Sequence, residues 1–530
     1  LNEARRLHRS GDWQSAEVLY RSVLRTDPDR IEALHGLGVV GLRLGKLDVA
    51  LAFLGRAIQV APAVGELYSA YGDAWLAAGE PEQAAAALAR AASLRPARPQ
   101  SHAALGAAQS RAGRFLDAVA SFRQALALGL GPDSADVHYQ LAHALLRAGP
   151  DGRHAEDAAT AAREALRLRP EFAEAWHVLG EAMGRLGQPA DAVAGFRKAV
   201  ELRPDAAAPW QGLGSALSLA GDFDAAERAY RQAMKLAPDC FDAVRGLAIA
   251  CARNQKSTEA IELLKRAALL RPRDAAVRGD LAIALENAGR AGEAVAEYEQ
   301  LLQLRPGDTE AQFHLAALSG RPAPPAAPPA RVAALFDRYA ESFDQHLVGT
   351  LGYRTPQLLF DAVSAAGARS GARALDLGCG TGLCGPLFRP LAAKLTGVDI
   401  SSAMIAKARD SGQYDTLEVR DLLSALNESP SAFDLLIAAD VFVYLGDLAA
   451  VHKAAFGALS PGGLFAYSVE SFDGPGLYEL RPTRRYAHSA QYLADLADCC
   501  GFKRVSIAGA PLRAEHGQKI DGYIVVLSKP

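Results

Sequence analysis

Prolines mark off the first three-fifths of the chain like a ruler, at Pro28, Pro62, Pro96, Pro132, Pro170, Pro204, Pro238, Pro272 and Pro306. The intervals are 34, 34, 36, 38, 34, 34, 34 and 34 residues. A period of this length is one supersecondary unit that cannot bury its apolar face alone, so successive units must stack. Within each period a Leu-Gly or Leu-Ala pair recurs, as at Leu37-Gly38, Leu105-Gly106, Leu179-Gly180 and Leu213-Gly214. Seven residues on stands a glycine or an equivalent, with Gly45, Gly79, Gly113, Gly187, Gly221 and Gly289 holding that site. An alanine follows after five more residues, then a large residue such as Leu54, Phe122, Phe196 or Tyr230. Small residues let two helix backbones approach and the large one fills the space between them. The glycine ends the first helix and the proline ends the second.

This small–large grammar strongly resembles the tetratricopeptide repeat. The resemblance covers residues 1–319 and implies eight full repeats, a truncated one before them and a last single helix around Thr309–Ser319. The longer intervals predict an insertion near residues 149–153. Such arrays present a concave groove for peptides or proteins, lined by the first helix of each pair. A carboxylate clamp would need Asn after the conserved glycine, where Val39, Asp73, His143 and Glu181 stand instead. The asparagine ladder of the repeat-containing sugar transferases is also missing. Arginine does recur near the end of the first helix, at Arg43, Arg111, Arg147, Arg185 and Arg253. One reading is a basic stripe for an acidic partner. The other is a cation favoured at a helix C-terminus.

At 530 residues the chain exceeds what one core can organise. A 22% charged content and a net charge of −3 give no bulk argument for nucleic acid or an anionic membrane as partner. No apolar run approaches the length of a membrane span, and no basic-then-apolar leader opens the sequence. The first residue is Leu1, already in helical register, which suggests a start inside a longer gene product. Six cysteines without paired C-x-x-C and His spacing argue against structural zinc, and scattered thiols point to a reducing, cytoplasmic setting. The excess of Ala, Arg and Gly hints at a GC-rich bacterial genome.

Residues 320–330, GRPAPPAAPPA, break the repeat with five prolines. They predict a semi-rigid linker reaching roughly 30 Å in polyproline geometry. From residue 331 onward short apolar strands alternate with amphipathic helices. RALDLG (373–378), KLTGVDI (394–400), TLEVRDL, FDLLIAAD and GLFAYSVES read as five strands, the first followed by a helix near 381–392. FKRVSIAG and DGYIVVLSK read as a closing hairpin. The sum is a seven-stranded, mostly parallel sheet covered on both faces, with ligands at the carboxyl ends of its strands. Residues 1–319 and 331–530 are the two expected domains.

The loop ALDLGCGTGLCG, residues 374–385, carries Asp376 two positions before Gly378, then Gly380 and Gly382. A dinucleotide loop would read G-x-G-x-x-G. The carboxylate also disfavours phosphate. The loop resembles that of class I S-adenosylmethionine-dependent methyltransferases, and further matches follow in order: Asp399, Asp421-Leu422, Asp440 and the turn Pro461-Gly462-Gly463. The resemblance implies a Rossmann-like α/β domain. Asp376, Gly378, Cys379, Gly380, Asp399, Ile400, Met404, Asp421, Leu422 and Ala439 would surround the cofactor, with Asp399 accepting both ribose hydroxyls. Residues 335–359 look like the first helices of the small-molecule group that includes the ubiquinone and biotin pathway enzymes. Closer still are bacterial proteins described as predicted methyltransferases with tetratricopeptide repeats. That likeness implies Tyr339 and Phe343 as a lid and, more loosely, Tyr353 and Arg354 at the substrate.

The N/D-P-P-Y signature of amino-methylating enzymes is replaced by Ala439-Asp440-Val441-Phe442. Acceptor contacts in related enzymes follow the fifth strand, which here points to residues 470–493 and to Glu470, Arg485, Tyr486 and His488. Asp440, Tyr486 and His488 are the expected catalytic residues, with His488 the candidate neutral-pH base. The competing reading places His488 in packing beside a Ser489 helix cap. As a whole, the chain reads as a methyltransferase whose repeats recruit a protein or carrier-bound acceptor. The alternative is a repeat scaffold or sensor that binds cofactor without turnover.

Overall fold

The computed structural model describes residues 1–131, 134–149, 151–345, 353–515 and 518–530, and the chain forms two compact units, Leu1–Pro272 and Arg273–Pro530. The break falls inside the repeat array rather than at the proline-rich segment. The last repeat pair and the single helix after it belong with the sheet.

Among its described residues the first unit holds sixteen helices in antiparallel pairs, from Asn2–Ser10 to Ser257–Leu270. The first pair opens on a helix of only nine residues, the truncated repeat expected from the sequence. Each large residue packs against a first-helix glycine, Leu54 on Gly38 and Phe122 on Gly106, while Phe196 and Tyr230 each seat between two. A Cβ on Gly180 or Gly212 would stand 3.0 or 2.4 Å from the Phe196 ring, and one on Gly214 or Gly246 would meet Tyr230 at 2.8 or 2.4 Å. Missing side chains therefore create the sockets that the rings fill. Pro132 and residue 150 of the expected insertion lie outside the described residues. The flanking helix runs to Ala148 and the next begins at Ala155, a longer connection than in neighbouring repeats.

Three of the five stripe arginines have intramolecular partners. Arg147 and Arg253 sit 5.9 and 5.6 Å over the Phe115 and Phe223 rings. Arg185 donates to the Gly149 carbonyl at 3.1 Å and pairs with Glu181 at 2.6 Å. These contacts favour the helix-terminus reading over a stripe dedicated to an acidic partner.

The glycine that separates the paired helices takes positive φ, for example +71° at Gly45 and +82° at Gly221. Gln255 holds the same place at φ +61°. A side chain there is strained, because its Cβ crowds the following carbonyl. Gln255→Gly is expected to raise the stability of the first unit by about 0.5–1 kcal/mol in a denaturant melt.

The second unit begins with the helices Ala275–Asn287, Ala291–Leu304 and Thr309–Ser319. The last matches the lone helix read from the sequence. The proline segment is no free spacer. Pro325 carbonyl oxygen accepts the Gly446 and Asp447 N–H groups at 2.8 and 2.9 Å, and Ala327 N–H donates to Tyr444 at 2.9 Å. Tyr486 hydroxyl donates to the Pro324 carbonyl at 2.6 Å. Strap-like, the segment lies bonded along the sheet domain.

The nine strands among the described residues are β1 (Ala372–Leu377), β2 (Ala392–Asp399), β3 (Thr416–Val419), β4 (Phe433–Ala438), β5 (Leu459–Ser471), β6 (Tyr478–Leu480), β7 (Tyr486–His488), β8 (Lys503–Glu515) and β9 (Gln518–Ser528). β3-β2-β1-β4-β5 are parallel, β9 pairs antiparallel with β5, and β8 closes the far edge. These are the expected seven. The two additional strands correct the count to nine: residues expected to form a connection fold into the hairpin β6–β7, which continues along β5 at Glu470 and Ser471 beyond the end of β4. The helix expected over 381–392 shrinks to Gly385–Phe388 and a 3-10 turn, Arg389–Leu391. Pro386 and Pro390 allow no longer helix here.

One buried carboxylate ties these parts together. Glu286, on Ala275–Asn287, accepts from Tyr298 hydroxyl at 2.8 Å, from His314 Nδ1 at 2.7 Å, and from Arg484 Nη2 at 2.7 Å. His314 Nε2 accepts from Arg331 at 2.8 Å, which leaves the proton on Nδ1. The repeat helices and the β6–β7 turn thus share one anion, and the helix Pro329–Tyr339 joins it through His314. Despite its burial, its donors hold the Glu286 carboxyl down to about 2. A depressed carboxyl stabilises the fold fully above its unfolded value near 4.5, and the effect disappears as pH falls through 2. Glu286→Gln should cost about 3 kcal/mol at neutral pH and nothing below pH 2, read as a shift in the second unit's thermal midpoint.

Candidate functional site

Parallel strands leave a crevice at their carboxyl ends, and here the crevice is a cavity of about 820 Å³. The glycine loop forms its floor. Gly378 has φ +66°, and a Cβ there would lie 2.6 Å from Val441. Gly380 has φ +54° and opens toward the cavity, with Phe343 the nearest atom to a Cβ at 3.9 Å. The loop brings backbone, not side chain, to the ligand space.

At the end of β2, Asp399 accepts the Gly380 N–H at 2.9 Å and the Ser401 N–H at 2.8 Å. Burial pushes its carboxyl above the usual range, against these two donors. Asp421 caps the helix Leu422–Asn427 by accepting from Ser424 N–H at 3.0 Å. Both carboxylates line the cavity, as do Ile400, Leu422 and Ala439. Asp440 follows β4 with φ +56°, a conformation few side chains other than Asp and Asn tolerate. Its backbone N–H donates to Ser468 Oγ at 2.8 Å, and its carboxylate accepts from Arg513 at 2.8 Å.

The helix Pro329–Tyr339 forms the cover. None of its residues is buried, yet Val332, Leu335, Phe336 and Tyr339 face the cavity, joined by Phe343 just beyond. Its polar side and the residues just after it are pinned to the floor: Ser401 hydroxyl donates to Asp337 at 2.6 Å, Lys407 pairs with Glu341 at 2.9 Å, and Thr381 hydroxyl donates to Asp344. The aromatic pair expected as a lid, Tyr339 and Phe343, meets edge to face at 5.3 Å.

Twelve residues named from the sequence line this cavity: Gly378, Gly380, Asp399, Ile400, Asp421, Leu422, Ala439, Asp440, Tyr339, Phe343, Tyr353 and Arg485. The others stand elsewhere. Asp376 lies behind the loop, its Oδ2 bonded to Tyr414 hydroxyl at 2.7 Å and its Oδ1 buried without a partner. Burial raises its carboxyl to about 7. Cys379 and Met404 are buried in packing, the Cys379 thiol pushed up by burial. Arg354 serves as the N-terminal flank of the helix Thr355–Ala365. Glu470, only 2% exposed, acts from behind the wall by binding Arg481 at 2.9 Å and also Arg513.

Tyr486 and His488 are corrected most sharply. Both are fully buried on β7 and neither lines the cavity. Tyr486 anchors the strap. His488 donates from Nε2 to the Gly446 carbonyl at 3.0 Å, while Nδ1 is buried without a partner. Burial lowers it to about 4. The helix that follows is capped by Ser489, so the packing alternative describes His488. Sequence reasoning missed Arg513, Tyr444 and Arg420, which do line the cavity. No motif flags Arg513: it sits on the antiparallel strand β8, where the register shifts between Pro511 and Arg513.

Two buried histidines give the second unit a pH signature. His452, bonded to the Leu448 carbonyl at 3.0 Å and Tyr467 hydroxyl at 2.9 Å, is also lowered to about 4. Unfolding lets both bind protons near 6.5, so stability is full above that pH and falls as pH drops toward 4. Each contributes about 3 kcal/mol to that loss. The second unit's midpoint in a pH series should slope downward between pH 6.5 and 4, and His452→Phe should flatten the slope.

A parallel sheet of order β3-β2-β1-β4-β5 with β9 set antiparallel beside β5, a glycine loop after β1 and acids after β2, β3 and β4, has the build of a methyltransferase domain. Residues 375–465 match the family described as a methyltransferase domain. Tetratricopeptide repeat families match at residues 1–63, 103–156, 171–239, 212–276 and 253–309. The chain is a tetratricopeptide-repeat array fused to a methyltransferase domain. It is 31% identical to the ubiquinone biosynthesis O-methyltransferase of Xanthomonas campestris pv. campestris (strain B100), over 21% of this chain and 47% of that protein. For the protein of the same name from Xylella fastidiosa (strain 9a5c) the figures are 32%, 21% and 46%. The chain thus spans about half the length of these relatives. Among solved structures, it overlaps the crystal structure of the APC/C hetero-tetramer Cut9-Hcn1 at 16% identity, covering 52% of each chain with a TM-score of 0.39. No helix among the described residues is long and apolar enough to cross a membrane.

Proposed function

We propose that this chain is an S-adenosylmethionine-dependent methyltransferase whose repeats recruit a protein or carrier-bound acceptor. The observation that carries the reading is Asp399: a buried carboxylate at the end of β2, fixed by two backbone N–H groups and facing the cavity beside the glycine floor. Each of its oxygens holds one backbone donor and keeps acceptor capacity for a vicinal diol. Asp421 and Leu422 lie next along the sheet, suited to a base edge, and the glycine floor would receive the amino-acid end without Cβ clashes. The residues present therefore fit this cofactor. Bound S-adenosylmethionine supplies a methyl carbon activated by a sulfonium.

The protein's own part is placement and exclusion of water. Tyr339 and Phe343 cover the floor, and Val332, Leu335 and Phe336 keep the remaining roof apolar. Ser468 and Arg513 hold Asp440 in its left-handed conformation at the boundary between the glycine floor and the far end of the cavity.

Asp399→Ala should weaken binding of S-adenosylmethionine and S-adenosylhomocysteine by about 2–3 kcal/mol in calorimetry, with the repeat unit's melting unchanged. Near-wild-type affinity would refute the assigned role. Cofactor binding without methyl transfer to any component of a cell extract would favour the scaffold alternative.

A further inference from the structure

Beyond the glycine floor the cavity changes character. Its far end is built by the residues after β4, β8 and the β6–β7 turn, and is lined by Tyr353, Tyr444, Arg485 and Arg513 among apolar neighbours such as Val443 and Leu445. Two guanidiniums converge there. Arg513 binds Glu470 Oε1, and Arg485 stands 3.9 Å from the same oxygen. Arg481 holds the other oxygen at 2.9 Å, and Arg513 reaches on to Asp440 at 2.8 Å. Three guanidiniums thus share two carboxylates, and Glu470 sits behind the wall rather than on it. Arginine presents a planar fork that matches a carboxylate, and its value rises where water is excluded. Glu470 and Asp440 offset two of the three guanidiniums, so this end keeps one net positive charge, which favours an anion over a protonated amine where water is excluded.

We infer that the acceptor is a carboxylate borne on an apolar body, its anionic head seated at Arg485 and Arg513 and its body along Val332, Leu335, Phe336 and Leu445. The inference rests on the methyl-transfer reading and names its acceptor class. A carboxylate also suits the chemistry of the walls. Its oxygen lone pair forms the new O–C bond, the broken C–S pair stays on sulfur, and no proton has to leave. The reaction then needs no base, and the buried, neutral His488 is not missed. Asp440, held by Arg513 and Ser468, contributes shape and field instead.

The test uses the full chain with S-adenosylhomocysteine present and three matched probes: octanoate, octanol and octylamine. Calorimetry should show octanoate binding at least tenfold tighter than octylamine, with octanol between them. Arg485→Gln should erase that preference while leaving S-adenosylhomocysteine affinity unchanged, and Arg485→Lys should restore part of it. Equal or tighter binding of octylamine by the wild type overturns the inference, as does an octanoate preference that survives Arg485→Gln. Failure of the wild type to bind S-adenosylhomocysteine counts against the methyltransferase reading instead, so the two failures are read on different titrations.

Discussion

A single buried anion organises the second unit. Glu286 sits on a repeat helix, yet its partners come from another repeat helix, the lone helix, and the turn between β6 and β7. Desolvating a carboxylate is costly, and only a full set of donors makes it tolerable. That requirement couples elements far apart in sequence: the donors at 298, 314 and 484 must arrive together or the charge stands unpaired. Arg331 extends the chain of contacts through His314 to the helix that covers the cavity. The cover is therefore held by the repeats as much as by the sheet beneath it. Arg484 is followed directly by Arg485, so the same anion that anchors the turn also sets where the cavity's far guanidinium stands.

How legible this was follows from the range of each interaction. The repeats could be read almost completely, because the Gly–Phe and Gly–Tyr sockets recur at a fixed period and need only neighbouring units. The acids at Asp399, Asp421 and Asp440 were also legible, since a parallel sheet puts the residue after each strand at one edge. What escaped depends on non-local geometry. Arg513 meets Asp440 across 73 residues of chain, beside a register shift in β8, and the proline segment is a strap only because Gly446, Asp447 and Tyr486 present donors to it. His488 looked like a base because titratable side chains after β5 commonly meet substrate. A three-residue strand turned it into the core, and no periodicity signals so short an element.

The cavity shows a division of labour between backbone and side chain. Its floor is made of glycines and strand ends, where the main chain itself is the contact surface, and such a surface tolerates little change. Its roof is an amphipathic helix that buries nothing of its own and is held by short polar contacts. Its far wall is a guanidinium cluster whose geometry is set by Glu470, a residue that does not touch the cavity space.

The strap sets where the chain can be divided. A fragment starting at residue 331, the boundary suggested by the end of the prolines, would lose Pro324, Pro325 and Ala327 together with Phe313, which packs 6.2 Å from the Tyr486 ring. Tyr486 would then expose its ring and lose its hydroxyl's acceptor, and Gly446 and Asp447 would be left with unpaired N–H groups. Cutting instead after Pro272 keeps each of these partners in one piece. The sheet domain thus holds the last repeat as part of its own body, and the seam of the chain lies at Pro272 rather than at the prolines.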